Sequence, residues 1–159
     1  TMLKLFKVLP LALLLTACAS TFGDQAKDAI TYQEAIQSPS NALGKTIIVG
    51  GPIISYNQTA TGTQIEIANA PLNDQDAPSI HGNSSQRVII NIPETIPSEQ
   101  LQNVRISAMG TITDLAEMTR YGNTKIIMIS AQQHRIWRTT KPMFDPNNKE
   151  RYGYKYQVE

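Results

Sequence analysis

Five stretches between residues 46 and 137 are rich in β-branched side chains, and several alternate apolar and polar positions with the period of two typical of half-buried strands. They predict five strands, at residues 46–55, 63–69, 87–92, 104–113 and 124–137. Gly50-Gly51-Pro52 interrupts the first stretch. Because proline cannot donate to a sheet ladder and paired glycines suit a bulge or a sharp bend, we predict a long first strand that is bent in its middle.

Two short helical patterns accompany the strands. Thr31, with Glu34 three residues later, has the spacing of a capping box, which predicts a helix over residues 31–37 that ends at Ser38-Pro39. A second pattern, at residues 95–101, predicts one or two helical turns between the third and fourth strands. Polar loops are predicted at residues 57–62, 71–85 and 114–123.

The order of three strands, a short helix and two more strands is typical of a small five-stranded OB-like barrel, whose first strand is commonly bent so that it serves both sheets. Closure of such a barrel also removes exposed sheet edges. We therefore predict an all-β fold with an OB-like barrel domain at residues 31–137, and a plain antiparallel sandwich is the alternative. Residues 138–159, with their prolines, asparagines and tyrosines, predict a partly ordered C-terminal tail.

The front of the chain has the pattern of a secretory signal. Lys4 and Lys7 precede an apolar run at residues 8–15. This run is about ten residues long at most, well short of the roughly 20 that a membrane-spanning helix needs. Cys18 follows Leu15-Thr16-Ala17, and this tetrapeptide resembles the lipobox, in which the thiol receives a diacylglyceryl group before the signal is cut. An ordinary signal with a chance cysteine beside the cleavage point is the alternative.

Cleavage of the signal peptide, residues 1–17, makes Cys18 the first residue of the mature chain, with residues 18–30 as lipid anchor and tether. A diacylglyceryl group and an amide-linked fatty acid such as palmitate together bury three acyl chains, whereas a single myristoyl chain binds only reversibly. Ala19 follows the cysteine, where an aspartate is the usual signal for retention in the inner membrane. We therefore predict an outer-membrane protein that is anchored by acyl chains on Cys18 and faces the periplasm.

Net charge indicates the class of partner, and cysteine content indicates where the stability of the fold comes from. Removal of Lys4 and Lys7 leaves 12 basic residues against 13 acidic ones, so the mature chain is close to neutral. Proteins that bind nucleic acid are usually distinctly basic, and we predict no nucleic-acid partner. Since Cys18 is the only cysteine, the chain can form no intramolecular disulfide, and its stability must come from its hydrophobic core.

Residue types that catalyse reactions or bind metals occur without a recognisable spacing. His81 and His134 have no neighbouring ligand at metal-binding spacing. Asp74 and Asp76 lack the further oxygen ligands and the glycine of an EF-hand loop. We predict no catalytic residue, no metal and no cofactor. The alternative is an enzyme or enzyme accessory that acts on envelope glycans, which would need two carboxylates across a groove.

A candidate ligand face follows from the predicted barrel. OB barrels bind ligands across strands two and three and between the loops that join strands 1–2 and 4–5. On this chain that surface carries Gln64, Glu66, Arg87, Asn91, Arg120 and Tyr121. The face is mixed in charge and poor in the aromatic rings on which nucleic-acid-binding OB folds stack bases.

The tail contains a second candidate. Tyr152, Tyr154 and Tyr156 alternate along it among basic residues. Tyrosines with this character lie at the headgroup level of membranes, and an alternating segment can also add a strand to the sheet edge of a partner. A weakly ordered tail without either role is the alternative.

Several short motifs, in their order and spacing, resemble a known family. They are Gly44-Lys45, Gly50-Gly51, Thr63-Gln64-Ile65-Glu66-Ile67, Pro71-Leu72-Asn73, Gly110-Thr111-Ile112 and Trp137. From Tyr32 to Trp137 the chain is similar to the Slp family of outer-membrane lipoproteins from Gram-negative bacteria. It departs from the family pattern at Asn103, where a glycine turn is expected, and at residues 93–97, which lack the usual aromatics.

The resemblance implies an outer-membrane location and expression in starvation or stationary phase, and it implies no particular molecular activity. Together with the residues, it predicts a non-enzymatic binding or structural module of the cell envelope. The predicted partners are the outer membrane, through the acyl chains on Cys18, and an envelope protein or glycan.

Overall fold

The structure, a computed structural model, describes residues 21–118, 124–140 and 155–158 of the chain. Its strands are β1 (Thr46–Thr59), β2 (Gly62–Ala68), β3 (Gln86–Ile92), β4 (Val104–Met118), β5 (Thr124–Thr140) and β6 (Lys155–Val158). Its helices are α1 (Tyr32–Gln37), α2 (Pro39–Ala42) and two 3-10 helices, Gly23–Asp28 and Ser98–Gln100.

Strands β1 to β5 close into a barrel. β1 pairs antiparallel with β2 and β4, β2 pairs with β3, β4 pairs with β5, and a parallel pairing of β3 with β5 completes the circle. This connectivity confirms the predicted all-β, five-stranded OB-like barrel and excludes the sandwich. β6 lies outside the circle, where it pairs with the end of β5 at residues 137–140.

The predicted bend in β1 is confirmed, because the strand changes partner there. Its first half, up to Pro52, pairs with β4, and its second half, from Ile53, pairs with β2. A Cβ atom on Gly51 would lie 1.8 Å from the carbonyl oxygen of Ala68 on β2. Only glycine therefore allows the backbones of β1 and β2 to approach this closely at the bend.

Isoleucine side chains from every strand of the circle fill the barrel interior. Ile47, Ile65, Ile90, Ile106 and Ile129 each have 0% of their surface exposed. Full burial of such a side chain stabilises the fold by about 1.5–3 kcal/mol. The core thus provides the stability that a chain with one cysteine cannot draw from an internal disulfide.

Helix α1 packs onto this core and begins at the predicted capping box, which is confirmed. Thr31 Oγ1 accepts a hydrogen bond from the backbone N–H of Glu34 at 3.2 Å, and Glu34 Oε2 accepts one from the N–H of Thr31 at 3.4 Å. Tyr32 joins the core cluster, and its hydroxyl donates to the carbonyl of Lys125 at 2.9 Å. Burial raises the pKa of Tyr32 to about 12.

Several predicted boundaries are wrong. β1 continues to Thr59 and β4 continues to Met118, although polar side chains there had no strand-like alternation. Strand pairing joins backbone groups and does not require alternating side chains. The end of β4 therefore stays paired with β5, from Asp114 opposite Met128 onward. The predicted one or two helical turns between strands 3 and 4 are confirmed as a single 3-10 turn, Ser98–Gln100. The predicted end of the first helix at Ser38-Pro39 is confirmed, because α1 ends at Gln37. Helix α2, which begins at Pro39, was not predicted, and a proline at the first helical position sacrifices no hydrogen bond.

The β2–β3 loop, residues 69–85, folds back over the outer face of β4. The side chains on that face are almost fully buried, with exposed fractions of 4% for Arg105 and 0% for Ser107 and Met109. Arg105 Nη1 donates to the carbonyl of Pro78 on the loop at 3.3 Å. The stretch predicted as a polar loop therefore packs over β4, which is buried on both of its faces from Val104 to Gly110.

The front of the described chain is attached to this loop. The Thr21 N–H donates to Asp76 Oδ2 at 3.1 Å, and Thr21 Oγ1 donates to the carbonyl of Gln75. Phe22 is 3% exposed and leads into the 3-10 helix Gly23–Asp28. The part of the predicted tether that the structure describes is thus folded, and Cys18 lies outside the described residues.

Candidate functional site

The outer face of β2 and β3 brings together four of the residues predicted for the ligand face. Gln64 and Asn91 are cross-strand neighbours, and Gln64 Nε2 donates to Asn91 Oδ1 at 3.0 Å. Glu66 and Arg87 lie further along the same two strands. The period of two places all four on one face, because the residues between them point into the core.

Glu66 and Arg87 form the centre of a polar network. Arg87 Nη1 lies 3.3 Å from Glu66 Oε1, and Ser55 Oγ on β1 donates to Glu66 Oε2 at 3.0 Å. Arg87 Nε donates to the carbonyl of Ser84 at 2.9 Å, which ties the pair to the β2–β3 loop. The side chains of Arg87 and Glu66 are 26% and 31% exposed, so the pair is fixed in position and remains within reach of a ligand.

Two apolar side chains lie between these polar groups. Ile89 separates Arg87 from Asn91 along β3, and its neighbour on β5 is Met128. Both are half-buried. Sequence reasoning missed both. The period of two that puts Arg87 and Asn91 on this face also puts Ile89 there, whereas Met128 joins the face only through the parallel pairing of β3 with β5.

This face offers hydrogen-bond donors and acceptors around a small apolar centre, which suits a polar, extended ligand such as a glycan or a peptide strand. Glu66 is the one carboxylate on β1, β2, β3 and β5, and the next in its cross-strand row is Asp114 on β4, opposite Met128. Three strand spacings, roughly 14 Å, separate the two, which is beyond the roughly 5–10 Å of a glycosidase pair. Hydrolysis of a glycosidic bond by the common acid–base mechanism needs two carboxylates. Both oxygens of Glu66 are also engaged, by Ser55 and Arg87. Arg120 and Tyr121, the other predicted members of the face, lie outside the described residues.

The histidines and aspartates that were considered as metal ligands do not come together in one site. His81 is exposed on the β2–β3 loop, whereas His134 lies on β5, with its Nδ1 3.9 Å from Glu94 Oε1. Asp76 accepts the N–H of Thr21, which gives its carboxylate a structural partner. Across residues 21–118, 124–140 and 155–158, no group of three or more histidine, cysteine, aspartate or glutamate side chains could hold a metal ion.

Three pockets lie elsewhere on the described surface. One, of about 210 Å³, lies between the helical region at Ile36 and Pro39 and the paired ends of β4 and β5. A second, of about 230 Å³, lies between α1 and Lys45. The third, of about 390 Å³, lies at the neck of the β2–β3 loop beside His81. No residue predicted for the ligand face lines any of the three.

The described part of the chain contains no helix with the length and apolar character to cross a bilayer. The closed strand circle with its short helices defines a small all-β barrel protein of the OB-like type. The outer membrane lipoprotein Slp family has a model that matches residues 15–158, nearly the whole chain, and the chain belongs to this family. The match begins at Leu15, the first residue of the tetrapeptide that ends in Cys18. No curated protein and no solved structure gives a significant match.

Proposed function

We propose that this outer membrane lipoprotein is anchored through acyl chains on Cys18, faces the periplasm and serves there as a non-enzymatic binding module of the envelope. The family match supports the anchor, because it begins at the lipobox-like Leu15 and the chain offers a single cysteine. Each methylene buried in lipid contributes about 0.8 kcal/mol, so three acyl chains hold the protein in the bilayer durably.

Substitution of Cys18 by serine tests the anchor. The hydroxyl cannot accept the thioether-linked lipid, so we expect Cys18→Ser to lose the acyl mass and to leave the outer-membrane fraction. Ser20→Ala is the matched control, and it should keep both the mass and the location. Full membrane retention of Cys18→Ser after washing, together with a native protein that lacks acyl mass, would contradict the anchor.

The Glu66–Arg87 network supports a binding role, because it holds charged groups in fixed positions on an accessible sheet face. We propose that an envelope protein or glycan binds there. The test is crosslinking and affinity capture of the lipidated protein from envelope extracts. Arg87→Glu should lose a specific partner, whereas Lys45→Glu, a charge reversal at an exposed site off this face, should keep it.

Two further variants separate the remaining parts of the surface. Arg120→Glu tests the predicted contribution of the loop between β4 and β5, and deletion of residues 139–159 tests the tail, which includes β6. A partner that only the deletion removes would assign binding to the tail. Capture that none of these changes affects would refute both proposed binding surfaces.

We also propose that the protein accumulates in starvation or stationary phase. The family membership supports this proposal. Quantitative immunoblotting of cells in exponential growth, in stationary phase and after carbon withdrawal should show a rise in protein per cell relative to a constitutive outer-membrane protein. A constant ratio across the three conditions would contradict it.

A further inference from the structure

The tip of the β2–β3 loop forms a fixed docking point for the front of the chain. Asn73 Oδ1 accepts the backbone N–H groups of Gln75 and Ala77, at 2.9 and 3.0 Å, which closes the tip into a tight turn. Thr21 binds this turn through its N–H to the Asp76 carboxylate and through its hydroxyl to the Gln75 carbonyl. These contacts hold Thr21 on the folded domain.

The residues that follow hold this contact in place. Phe22 is 3% exposed, and full burial of a phenylalanine contributes about 1.5–3 kcal/mol. After the 3-10 helix Gly23–Asp28, the N–H of Ile30 donates to the carbonyl of Thr46 on β1 at 2.8 Å. Phe22 and Ile30 thus hold the segment next to Thr21 against the folded domain.

The distance from the proposed anchor to this docking point is short. Thr21 lies three residues after Cys18, and three residues span at most about 11 Å when fully extended. A domain of this size is roughly 35 Å across. A link so much shorter than the domain cannot let the domain turn over on the membrane, so the side that carries Thr21 stays nearest the lipid.

We propose that the tip of the β2–β3 loop, around Gln75, is the membrane-facing surface of the domain, held on the headgroup layer of the bilayer by the short link to Cys18. This inference rests on the proposed acylation of Cys18. The loop contains two aspartates and no lysine or arginine, so attraction to anionic lipid is not the cause of the orientation. The turn between β1 and β2, at Ala60-Thr61, lies at the end of β2 opposite to the start of this loop, so the proposed orientation places it away from the membrane.

Collisional quenching by lipid tests this orientation. In the acylated protein the thiol of Cys18 is blocked, so a cysteine introduced by Gln75→Cys or Ala60→Cys is the only free thiol for a fluorophore. Both positions are exposed. Each labelled protein is reconstituted into phosphatidylethanolamine–phosphatidylglycerol vesicles that contain a lipid with a nitroxide headgroup. We expect strong quenching at position 75 and none above the background of nitroxide-free vesicles at position 60.

A longer link provides the matched control, because it leaves the folded domain unchanged. Insertion of a twelve-residue glycine–serine segment between Ser20 and Thr21 extends the reach to about 20 Å root-mean-square. Quenching at position 75 should then fall to the level at position 60. Equal quenching at the two positions with the native link, or undiminished quenching at position 75 with the longer link, would overturn the proposal. Failure of the native protein to stay on vesicles would instead refute acylation.

Discussion

Loss of the Ser107 hydroxyl should destabilise the fold, because it leaves a buried indole N–H without its acceptor. Trp137 Nε1 donates to Ser107 Oγ at 2.9 Å, and the two residues are 1% and 0% exposed. An unsatisfied buried donor costs about 1–3 kcal/mol, whereas a typical surface substitution changes stability by about 0.5 kcal/mol or less. We expect Ser107→Ala to lower the free energy of unfolding by about 2 kcal/mol.

Trp137 is the only tryptophan, so its fluorescence reports directly on unfolding around the Ser107–Trp137 hydrogen bond. Urea unfolding is measured on the mature chain with Cys18→Ser, which avoids detergent. Ser130→Ala is the matched control, since Ser130 is an exposed serine on the neighbouring strand β5. The assay compares the urea midpoints of the two variants with that of the parent, provided that the dependence of the unfolding free energy on urea concentration is unchanged.

A double-mutant cycle with Trp137→Phe separates the hydrogen bond from any cavity. Phenylalanine has no N–H, so Ser107→Ala should cost clearly less in that background, with unfolding followed by circular dichroism. The reasoning is refuted if Ser107→Ala is no worse than Ser130→Ala. It is also refuted if the cost of Ser107→Ala is the same with and without the indole.

Three further changes test other parts of the fold. Thr31→Ala removes the cap of α1 and should cost about 1 kcal/mol in urea unfolding, while the exposed Thr61→Ala should cost little. Gly51→Ala places a Cβ 1.8 Å from the Ala68 carbonyl and should cost more than Thr31→Ala. The comparison is Gly23→Ala, which meets no atom within 4 Å and carries only the cost of a left-handed backbone at φ 76°. Because burial raises the pKa of Tyr32 from 10.0 to about 12, the folded state keeps its proton longer, so stability should fall from pH 10 to pH 12, and less steeply in Tyr32→Phe.

The barrel could be predicted because the sequence patterns that indicate it involve residues close together in the chain. The capping box at Thr31 and the interruption at Gly50-Gly51-Pro52 each fix one piece of backbone, and the order of the strands then leaves few ways to close a sheet. The alternation around Gln64 and Glu66 likewise placed both on one outer face. None of these inferences needed the distance between residues far apart in the chain.

The packing of the β2–β3 loop over β4 could not be predicted, because no local sequence pattern indicates it. Residues 69–85 are polar and without periodicity, and the contact of Arg105 with Pro78 joins positions far apart in sequence. Ser107 alternates with Ile106 and Ala108, which points it away from the barrel interior, but this alternation cannot show that another segment buries that side. The hydrogen bonds that join Glu66 to Arg87 depend on the register of β2 and β3, which the long loop between them leaves unspecified in the sequence.

The β2–β3 loop connects the anchor with the candidate ligand face. Arg87 is tied to it through the carbonyl of Ser84, whereas the Gln64–Asn91 pair lies nearer the opposite end of the same strands. With the loop tip on the headgroups, the face runs outward from the bilayer, with Arg87 at its membrane-proximal end. In the proposed orientation, a partner that lies along the membrane would meet Arg87 first, and one that approaches from the aqueous side would meet Gln64 and Asn91 first. The proposed orientation therefore predicts which class of envelope partner each end of the candidate face would reach.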